Sequence, residues 1–443
     1  MPKIHPIPSV RYAVEAGSDV SALIAPPYDV LDEGAKDFLL ARNPHNIAAV
    51  DLPHMPPKTV GPNSTYERAG DTFRQWLQRG VLRREPVPCC YIYRQTFTVA
   101  DRSHRRLGVL ANLPVQPLGS APDGGGGAIF PHEQTFSEPK EDRLKLMKAT
   151  RAQLSPIFGL YSDPDGDVNQ IIERIADSAA PTLHGTTPND DVLHELWSVP
   201  DQTAALSKAL FGRDTFIADG HHRYNTTLNY QHELMEGGKT LPDEHPANFC
   251  MFVLVSMQDP GMVVLPTHRV LGGMKDFALD AFAKAAAGKL QIKTFDSGGL
   301  AQLEAALPGA GPHAIGLCGH DGDARKLAIA TTVADDPLLS SCPQQSSAWR
   351  QLDVAIVQYL IVQQVCEPNF CPAGGRVTWK FPHGLDEVRT AVDGKQSQLG
   401  LVLQPTPLEA VRQVSEAGEL MPQKSTFFYP KVATGLVLSR LDF

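Results

Sequence analysis

The chain has 443 residues, of which 42% are hydrophobic and 20% charged, and its formal net charge at pH 7 is −9. This length exceeds one ordinary hydrophobic core, so we expect roughly two or three packed units, and the composition is that of a globular protein. The negative charge disfavours a protein that coats nucleic acid, because such a protein needs a broad basic surface. A small anionic ligand needs only a local cluster of cations.

The sequence carries no signal for a membrane or a disulfide framework. Its opening has no basic region followed by an apolar run, and the longest apolar stretches, such as 249–257, are too short to span a bilayer. The 7 cysteines lack paired Cys-x-x-Cys spacing, which argues against disulfides and against a closed zinc site. We therefore expect a cytoplasmic protein without a membrane partner.

The first predicted elements are a turn-rich opening, a helix and two strands. Proline fixes φ and so breaks regular structure at 25–29, Ala-Pro-Pro-Tyr-Asp, and a helix is predicted at 65–79. Alternating apolar residues predict strands at 89–99 and 107–115, joined by a charged turn at 101–106.

Short elements continue through the rest of the chain. They are predicted as a flexible glycine-rich connector at 123–127, a helix at 144–153, strands at 157–161 and 216–218, a helix from Tyr224, and a strand pair at 249–257 and 262–266. Helices and strands then alternate, so the fold class is α/β to α+β. We place an N-terminal segment at 1–85, a core at 86–272 and a C-terminal α/β domain at 273–443.

The strongest local signal is the loop Asp219-Gly220-His221-His222-Arg223, which we call the Asp219 loop. A strand that ends in glycine and turns into a helix exposes backbone N–H groups at the positive end of the helix dipole, where anions bind. Gly220 permits a positive φ, Arg223 offers a planar fork for phosphate oxygens, and the histidines can donate hydrogen bonds or transfer protons. Two alternatives remain: Asp219 as a helix N-cap beside surface histidines, or Asp219, His221 and His222 as metal ligands.

A second signal is His132-Glu133, in which Glu133 is the better candidate for a general base. On the helix that follows, Lys140, Arg143 and Arg151 share one broad face and could present cations to a phosphate-bearing ligand. The alternative is a solvated basic helix.

Three weaker candidates complete the set. The turn with Tyr28 and Asp29 and the cluster at 421–431 with Lys424 could fix binding loops. The pair His268-Arg269 follows a strand and either flanks the pocket or merely ends that strand. A Walker loop is rejected, since its glycine-rich approach is absent, and GxGxxG, GxSxG and HExxH motifs do not occur.

Together the motifs at 25–29, 131–135, 140–158, 218–224, 265–269 and 421–431 resemble an uncharacterised prokaryotic family, domain-of-unknown-function family 1015, over nearly the whole chain. The Asp219 loop is also similar to the nucleotide-phosphate loop of the ParB and sulfiredoxin superfamily. It is most similar to the Asp-Gly-x-His-Arg form in SerK-type free-serine kinases.

This resemblance implies a ParB/sulfiredoxin-like nucleotide-binding core with additional α+β segments at both ends. It implies that His222 and Arg223 contact nucleotide phosphates, that Asp219 holds Mg²⁺ or the substrate hydroxyl, and that a glutamate, for which we choose Glu133, acts as base. The remaining site candidates are His221 for catalysis, Gly220, Lys140 and Arg143 for the nucleotide, and His132, Tyr28, Asp29, His268, Arg269 and Lys424 for the substrate.

The function implied is a small-molecule kinase that uses ATP or ADP with Mg²⁺, with free serine or a similar hydroxyl compound as acceptor. A phosphatase or hydrolase of a metabolite such as phosphoserine is an alternative, because the same groups could activate water. A nucleotide-binding regulator that acts through DNA is a third, which the acidic charge disfavours. The sequence does not specify the oligomeric state.

Overall fold

The structure is a computed structural model that describes residues 3–119, 127–135, 137–188 and 190–442. The chain splits into two compact units: unit 1 contains Met1–Val263 together with Pro430–Phe443, and unit 2 contains Val264–Tyr429. Most of the predicted glycine-rich connector, 123–126, lies outside the described residues. The division into functional segments after residues 85 and 272 stays a prediction.

Unit 1 is built on a nine-stranded mixed sheet. Its strands, in spatial order, are Ser18–Asp19, Leu183–Thr187, Val192–Ser198, Tyr91–Val99, Arg102–Pro114, Phe249–Ser256, Ile157–Tyr161, Thr215–Asp219 and Ile129–Phe130. The central strand Phe249–Ser256 is almost entirely buried, as expected for a strand covered on both faces. It pairs parallel with Ile157–Tyr161, which confirms the strand predicted at 157–161.

In the part of unit 1 that the structure describes, a smaller sheet and seven helices accompany this sheet. The sheet contains Leu82–Arg84, Ser9–Tyr12, Leu438–Arg440 and Ala152–Gln153. The helices are Glu33–Arg42, Ala48–Asp51, Asn63–Gln78, Ser137–Thr150, Asp167–Ser178, Thr203–Leu210 and His221–Leu234, with short 3-10 turns at Tyr28–Val30, Pro200–Gln202 and Pro246–Asn248. Helix Asn63–Gln78 buries Tyr66, Phe73 and Trp76 on one side, which confirms the helix predicted at 65–79. Helix Ser137–Thr150 packs against it and against His221–Leu234.

Two predicted elements in unit 1, the charged turn at 101–106 and the helix at 144–153, have the wrong bounds. Residues 102–106 belong to a strand, because the hairpin turns within Ala100 and Asp101, whose φ values of 47° and 61° suit a tight two-residue turn. The helix predicted at 144–153 begins at Ser137 and ends at Thr150, where Arg151 has a φ of 49°.

The predicted strand pair at 249–257 and 262–266 does not form. Phe249–Ser256 pairs with Arg102–Pro114 and Ile157–Tyr161, whereas Val263–Leu265 forms a two-stranded sheet with Phe427–Tyr429. A turn between two apolar stretches does not decide which strands they pair with, since longer strands elsewhere offer more hydrogen bonds.

Unit 2 contains a six-stranded antiparallel sheet, which confirms the predicted alternation of helices and strands. The strands, in spatial order, are Leu290–Thr294, Ala324–Thr332, Ile315–Asp321, Leu399–Val402, Arg269–Gly272 and Thr378–Lys380. The helices are Leu279–Ala285, Leu300–Ala306, Ser347–Arg350, Asp353–Ala355, the π-helix Ile356–Cys366, Glu367–Phe370, Leu385–Asp393 and Leu408–Glu416, with a 3-10 turn at Leu307–Gly309. The two units together give a mixed α/β protein, within the predicted fold class. In the described part of the chain, no helix has both the length and the apolar character that crossing a bilayer requires.

Candidate functional site

The Asp219 loop has the predicted form of a strand, a glycine and a helix. Strand Thr215–Asp219 ends at Asp219, Gly220 takes a left-handed conformation with φ 98° and ψ 22°, and the helix begins at His221. Gly220 is the N-cap residue, and no side chain caps the helix. The alternative with Asp219 as N-cap is therefore wrong, and the start of the helix keeps the donor character that favours anions.

Two cations hold the carboxylate of Asp219. Arg223 donates from Nη2 to Oδ2 at 2.6 Å, and Lys431 donates from Nζ to Oδ1. Burial acts to raise the pKa of Asp219, but the charges of Lys431 and Arg223 outweigh it and hold this pKa well below its usual range. Arg223 also donates from Nη1 to the carbonyl of Pro156. Two cations and one anion leave one net positive charge beside the helix N-terminus.

A pair of buried histidines lies behind the loop. The backbone N–H of His132 donates to Nε2 of His221 at 3.2 Å, and the two rings meet edge to face with their centroids 4.6 Å apart. The His132 ring bonds the carbonyl of Ile217 at 2.8 Å, so its Nδ1 carries a proton. Burial lowers the pKa of both histidines. His221 is thus a neutral hydrogen-bond acceptor at Nε2.

The predicted base and the second loop histidine are more accessible. Glu133 is half-buried, and its charge acts on His132 against the effect of burial. His222 is half-buried in the first helical turn, where its carbonyl accepts from Oγ1 of Thr226 at 2.8 Å. The same hydroxyl lies 3.4 Å from the carbonyl of Lys140, which joins the predicted basic helix to the loop helix.

Arg143 belongs to a buried network in unit 1. Its Nε donates to Oδ2 of Asp142 at 2.8 Å, its Nη1 donates to the Asp51 carbonyl at 2.7 Å, and its guanidinium lies 3.8 Å from the ring centroid of Tyr28. Tyr66 and His54 bond the other oxygen of Asp142 at 2.7 and 2.9 Å. The Arg143 Nη1 also lies 3.3 Å from Oδ1 of Asp51. Two carboxylates and an aromatic face thus occupy Arg143, and a direct contact with phosphate would require its release.

The turn at 25–29 joins this network. Burial raises the pKa of Tyr28, and the nearby charges of Arg143 and Asp29 act on it in opposite directions. Asp29 is half-buried, with Oδ2 3.5 Å from Nζ of Lys58.

A small cavity connects the network to the Asp219 loop, because Asp51, Arg143 and Arg223 all line it. Its volume of about 40 Å³ has room for a few water molecules and is too small for a nucleotide. A nucleotide would therefore have to approach the outer side of the loop.

Three predicted substrate residues lie in unit 2. Arg269 donates to the carbonyls of Thr267 at 2.7 Å and Lys424 at 2.9 Å, and more weakly to those of His268 and Gln423 at 3.3 Å. His268 accepts from the backbone N–H of Leu403, and its Nε2 lies 3.5 Å from Oε1 of Glu304. Lys424 is exposed, with a φ of 59°. Each of these residues is part of the packing or the turns of its own unit.

Sequence reasoning missed Lys431, Asp51 and Asp142. Lys431 lies in the predicted cluster at 421–431, from which Lys424 was chosen, and the preceding Pro430 was the available signal. Asp51 and Asp142 are buried carboxylates in helices, where no motif distinguishes them from solvated acids.

A direct metal contact at Asp219 does not fit this arrangement, because Lys431 and Arg223 occupy both carboxylate oxygens. Among the described residues, no group of three or more His, Cys, Asp or Glu side chains is placed to hold a metal ion. The alternative with Asp219, His221 and His222 as ligands thus lacks the geometry it needs.

The fold and the loop define a mixed α/β protein with a cationic connection between a strand and a helix. The chain belongs to the family described as "Protein of unknown function (DUF1015)", which matches residues 4–355. No curated protein matches the chain.

Several solved structures are similar at low identity. They include a conserved hypothetical protein from Pyrococcus furiosus (14% identity, 69% of this chain and 88% of that chain, TM-score 0.31), a free serine kinase in complex with AMP (13%, 69% and 88%, 0.32) and SbnI with a C-terminal truncation from Staphylococcus aureus (11%, 74% and 81%, 0.33). Likeness at this level assigns no function.

Proposed function

We propose that the chain is a nucleotide-dependent phosphotransferase that moves a phosphoryl group from ATP or ADP to the hydroxyl of a small metabolite, with free serine as the first acceptor to test. The observation that carries this proposal is the charge arrangement at the Asp219 loop. A 14-residue helix begins at a left-handed glycine without a side-chain cap, and Arg223 and Lys431 flank its start. Helix N-termini with adjacent cations bind phosphate.

The proposed chemistry needs little from the protein beyond positioning and charge neutralisation. Arg223 and Lys431 offset the charge on the phosphates, and Gly220 allows their close approach to the backbone. The oxygen of the acceptor hydroxyl bonds to phosphorus while the bond from phosphorus to the nucleotide oxygen breaks. Glu133 accepts the proton that this hydroxyl loses. Asp219 holds the two cations in place, and Mg²⁺ brought with the nucleotide would neutralise part of the phosphate charge.

The other predicted residues have supporting roles in this proposal. His222 donates to phosphate from the first helical turn, and Lys140 approaches the phosphate from the neighbouring helix. Arg143 stabilises the small cavity that it lines together with Arg223. The form of the loop, Asp-Gly-x-His-Arg, supports a ParB/sulfiredoxin-like core in unit 1. The roles of His268, Arg269 and Lys424 in substrate binding remain predictions.

The test is to follow phosphorus species by ³¹P NMR while the full-length protein is incubated with Mg²⁺, ATP, ADP and a panel of hydroxyl metabolites that includes serine. A new phosphomonoester, absent with Arg223→Met, would support the kinase and identify its acceptor. Release of phosphate from added phosphoserine would favour the hydrolase instead. Nucleotide binding without any change in phosphorus species would favour the regulator.

A further inference from the structure

Residues Pro430–Thr434, here called the return segment, bring Lys431 to Asp219 from a distant part of the sequence. Hydrogen bonds fix its backbone on both sides of Lys431. Gln95 Nε2 donates to the carbonyl of Lys431 at 2.9 Å, and Arg106 Nη2 donates to the carbonyl of Pro430 at 2.6 Å. Further along, the N–H of Ala433 donates to the hydroxyl of Tyr93 at 3.3 Å.

Gln95 and Arg106 act together because they are directly opposite each other on neighbouring strands. Arg106 also donates to Oε1 of Gln95, which orients the amide so that its NH₂ group faces Lys431. Both residues are 1% exposed, and the Arg106 guanidinium lies 4.6 Å from the ring centroid of Phe158. Burial lowers the pKa of Arg106 to about 10, so the group remains charged at neutral pH.

A guanidinium buried this deeply has a large desolvation penalty, and an apolar side chain of similar volume would pack with less loss. The hydrogen bonds that Arg106 makes to Pro430 and Gln95 offset part of this penalty. A lysine ammonium sits on a flexible stem with several rotatable bonds, so its position depends on how firmly its backbone is held.

Resting on the proposed function, we infer that Gln95 and Arg106 are positioning residues that hold Lys431 at the Asp219 carboxylate and so maintain the positive charge of the phosphate site. If the backbone of Lys431 is released, its ammonium leaves Asp219 for part of the time. Arg223 then remains as the partner of Asp219, and the local charge falls from one net positive to neutral.

A neighbouring set of hydrogen bonds supports the same segment. Tyr93, which accepts from Ala433, donates to Nδ1 of His194 at 2.6 Å, and Nε2 of His194 bonds Oγ1 of Thr187 at 2.9 Å. Burial lowers the pKa of His194 to about 3, which keeps this ring neutral and its Nδ1 an acceptor.

The experiment compares Gln95→Met, Lys431→Met and the double variant with the wild-type protein. Calorimetric titration with Mg·ADP measures binding, and hydrogen exchange with mass spectrometry follows a peptide that covers the return segment. Gln95→Met should raise exchange there about fivefold, the equivalent of one lost hydrogen bond. Lys431→Met should weaken ADP binding about tenfold or more, and Gln95→Met about threefold to tenfold.

The double variant distinguishes positioning from general damage. If Gln95 acts through Lys431, adding Gln95→Met to Lys431→Met should cause no further loss of ADP affinity. Fully additive losses would overturn the inference. The matched control is Gln153→Met, since Gln153 is also buried and its amide NH₂ also donates to a backbone carbonyl in unit 1, that of Phe249, while its Oε1 accepts from the N–H of Met251. Its exchange in the return segment should match that of the wild-type protein.

Failure of the proposed function gives a different result. If the wild-type protein binds no ADP and transfers no phosphoryl group, the proposed function fails, while the exchange data still report whether Gln95 holds the return segment. If Gln95→Met leaves that exchange unchanged, the positioning inference is wrong whatever the protein binds.

Discussion

Two loops in this protein place a histidine directly before an arginine next to a strand, and they differ in what the arginine contacts. In unit 1, Arg223 pairs with the carboxylate of Asp219 and with one backbone carbonyl, at the start of a helix. In unit 2, the guanidinium of Arg269 donates to backbone carbonyls of Thr267, His268, Gln423 and Lys424 and stacks on the ring of Phe381 at 4.9 Å.

The difference shows that an arginine pattern in a sequence does not by itself indicate an anion site. Arg269 is 2% exposed, and its N–H groups donate to neutral backbone carbonyls. These hydrogen bonds connect two segments of unit 2. Arg223 has a charged partner and a helix N-terminus beside it, so its field adds to that of the helix dipole. We therefore expect Arg223 to matter for binding and turnover, and Arg269 for stability.

The largest expected effect is that of Arg223→Met on turnover. Removing one electrostatic donor from a phosphoryl-transfer site lowers kcat by roughly 100-fold to 1000-fold. The free energy of unfolding in urea should change by much less than the free energy that corresponds to this loss of kcat, since the methionine retains most of the apolar packing. The ³¹P assay with the acceptor that it identifies measures the first quantity, and chemical denaturation measures the second.

Arg213→Met is the matched control for that variant. Arg213 also bridges a carboxylate and backbone carbonyls in unit 1, with Nη2 3.1 Å from Oδ1 of Asp163 and Nε 3.1 Å from the Ala209 carbonyl. We expect it to lose stability without losing turnover. Equal losses of turnover in the two variants would contradict a specific role of Arg223 in phosphoryl transfer.

Arg269→Met should have the reverse profile. Several buried carbonyls lose their donor at once, so the free energy of unfolding should fall by about 3 to 4 kcal/mol. The variant that remains folded should bind Mg·ADP as the wild-type protein does. A higher KM for the acceptor at unchanged stability would instead support the predicted role of Arg269 in substrate binding.

The same contrast explains which parts of the site the sequence could predict. The order of strand, Gly220 and helix follows from local composition, and the structure has it at the predicted place. The pairing of Asp219 with Lys431 could not be predicted, because 211 residues separate them and pairing over such a distance depends on the path of the whole chain. Arg143 was predicted to face a ligand, but whether a helical arginine faces solvent or two buried carboxylates depends on Asp51, which no spacing rule connects to it.

The fold shows the same limit. Strand Ile157–Tyr161 and helix Asn63–Gln78 follow from periodicity, whereas the partners of Phe249–Ser256 depend on the competition among strands.

The third prediction concerns pH and unit 2. The pKa of His268 is lowered from 6.5 to about 4. Burial is the largest cause, and the charges of His383 and Arg269 add to it. Below pH 6.5 the unfolded chain binds a proton that the folded chain does not, so stability falls as pH decreases, until the folded state is protonated near pH 4. This contribution is at most about 1.4 kcal/mol per pH unit.

His268→Asn removes the titrating group and keeps an acceptor for the N–H of Leu403. The stability difference between the wild-type protein and this variant, measured by urea unfolding at several pH values, should change in favour of the variant between pH 6.5 and pH 4. All other groups contribute equally to both proteins. A difference that does not depend on pH would mean that His268 titrates normally in the folded state.

The smallest expected effect separates backbone conformation from close packing at the Asp219 loop. Gly220 and Gly212 both have a positive φ, 98° and 82°, but a Cβ atom at Gly220 would lie 3.1 Å from the guanidinium carbon of Arg223, whereas one at Gly212 would meet nothing within 4 Å. Gly212→Ala should destabilise unit 1 by about 1 kcal/mol through backbone strain alone. Gly220→Ala has the same strain and must also displace Arg223, so we expect about 2 kcal/mol of destabilisation together with weaker Mg·ADP binding. If both variants lose equal stability and retain ADP affinity, the close approach of Gly220 to Arg223 contributes nothing to the site. If only Gly220→Ala weakens ADP binding, the position of the guanidinium, rather than its charge alone, is what distinguishes Arg223 from Arg269.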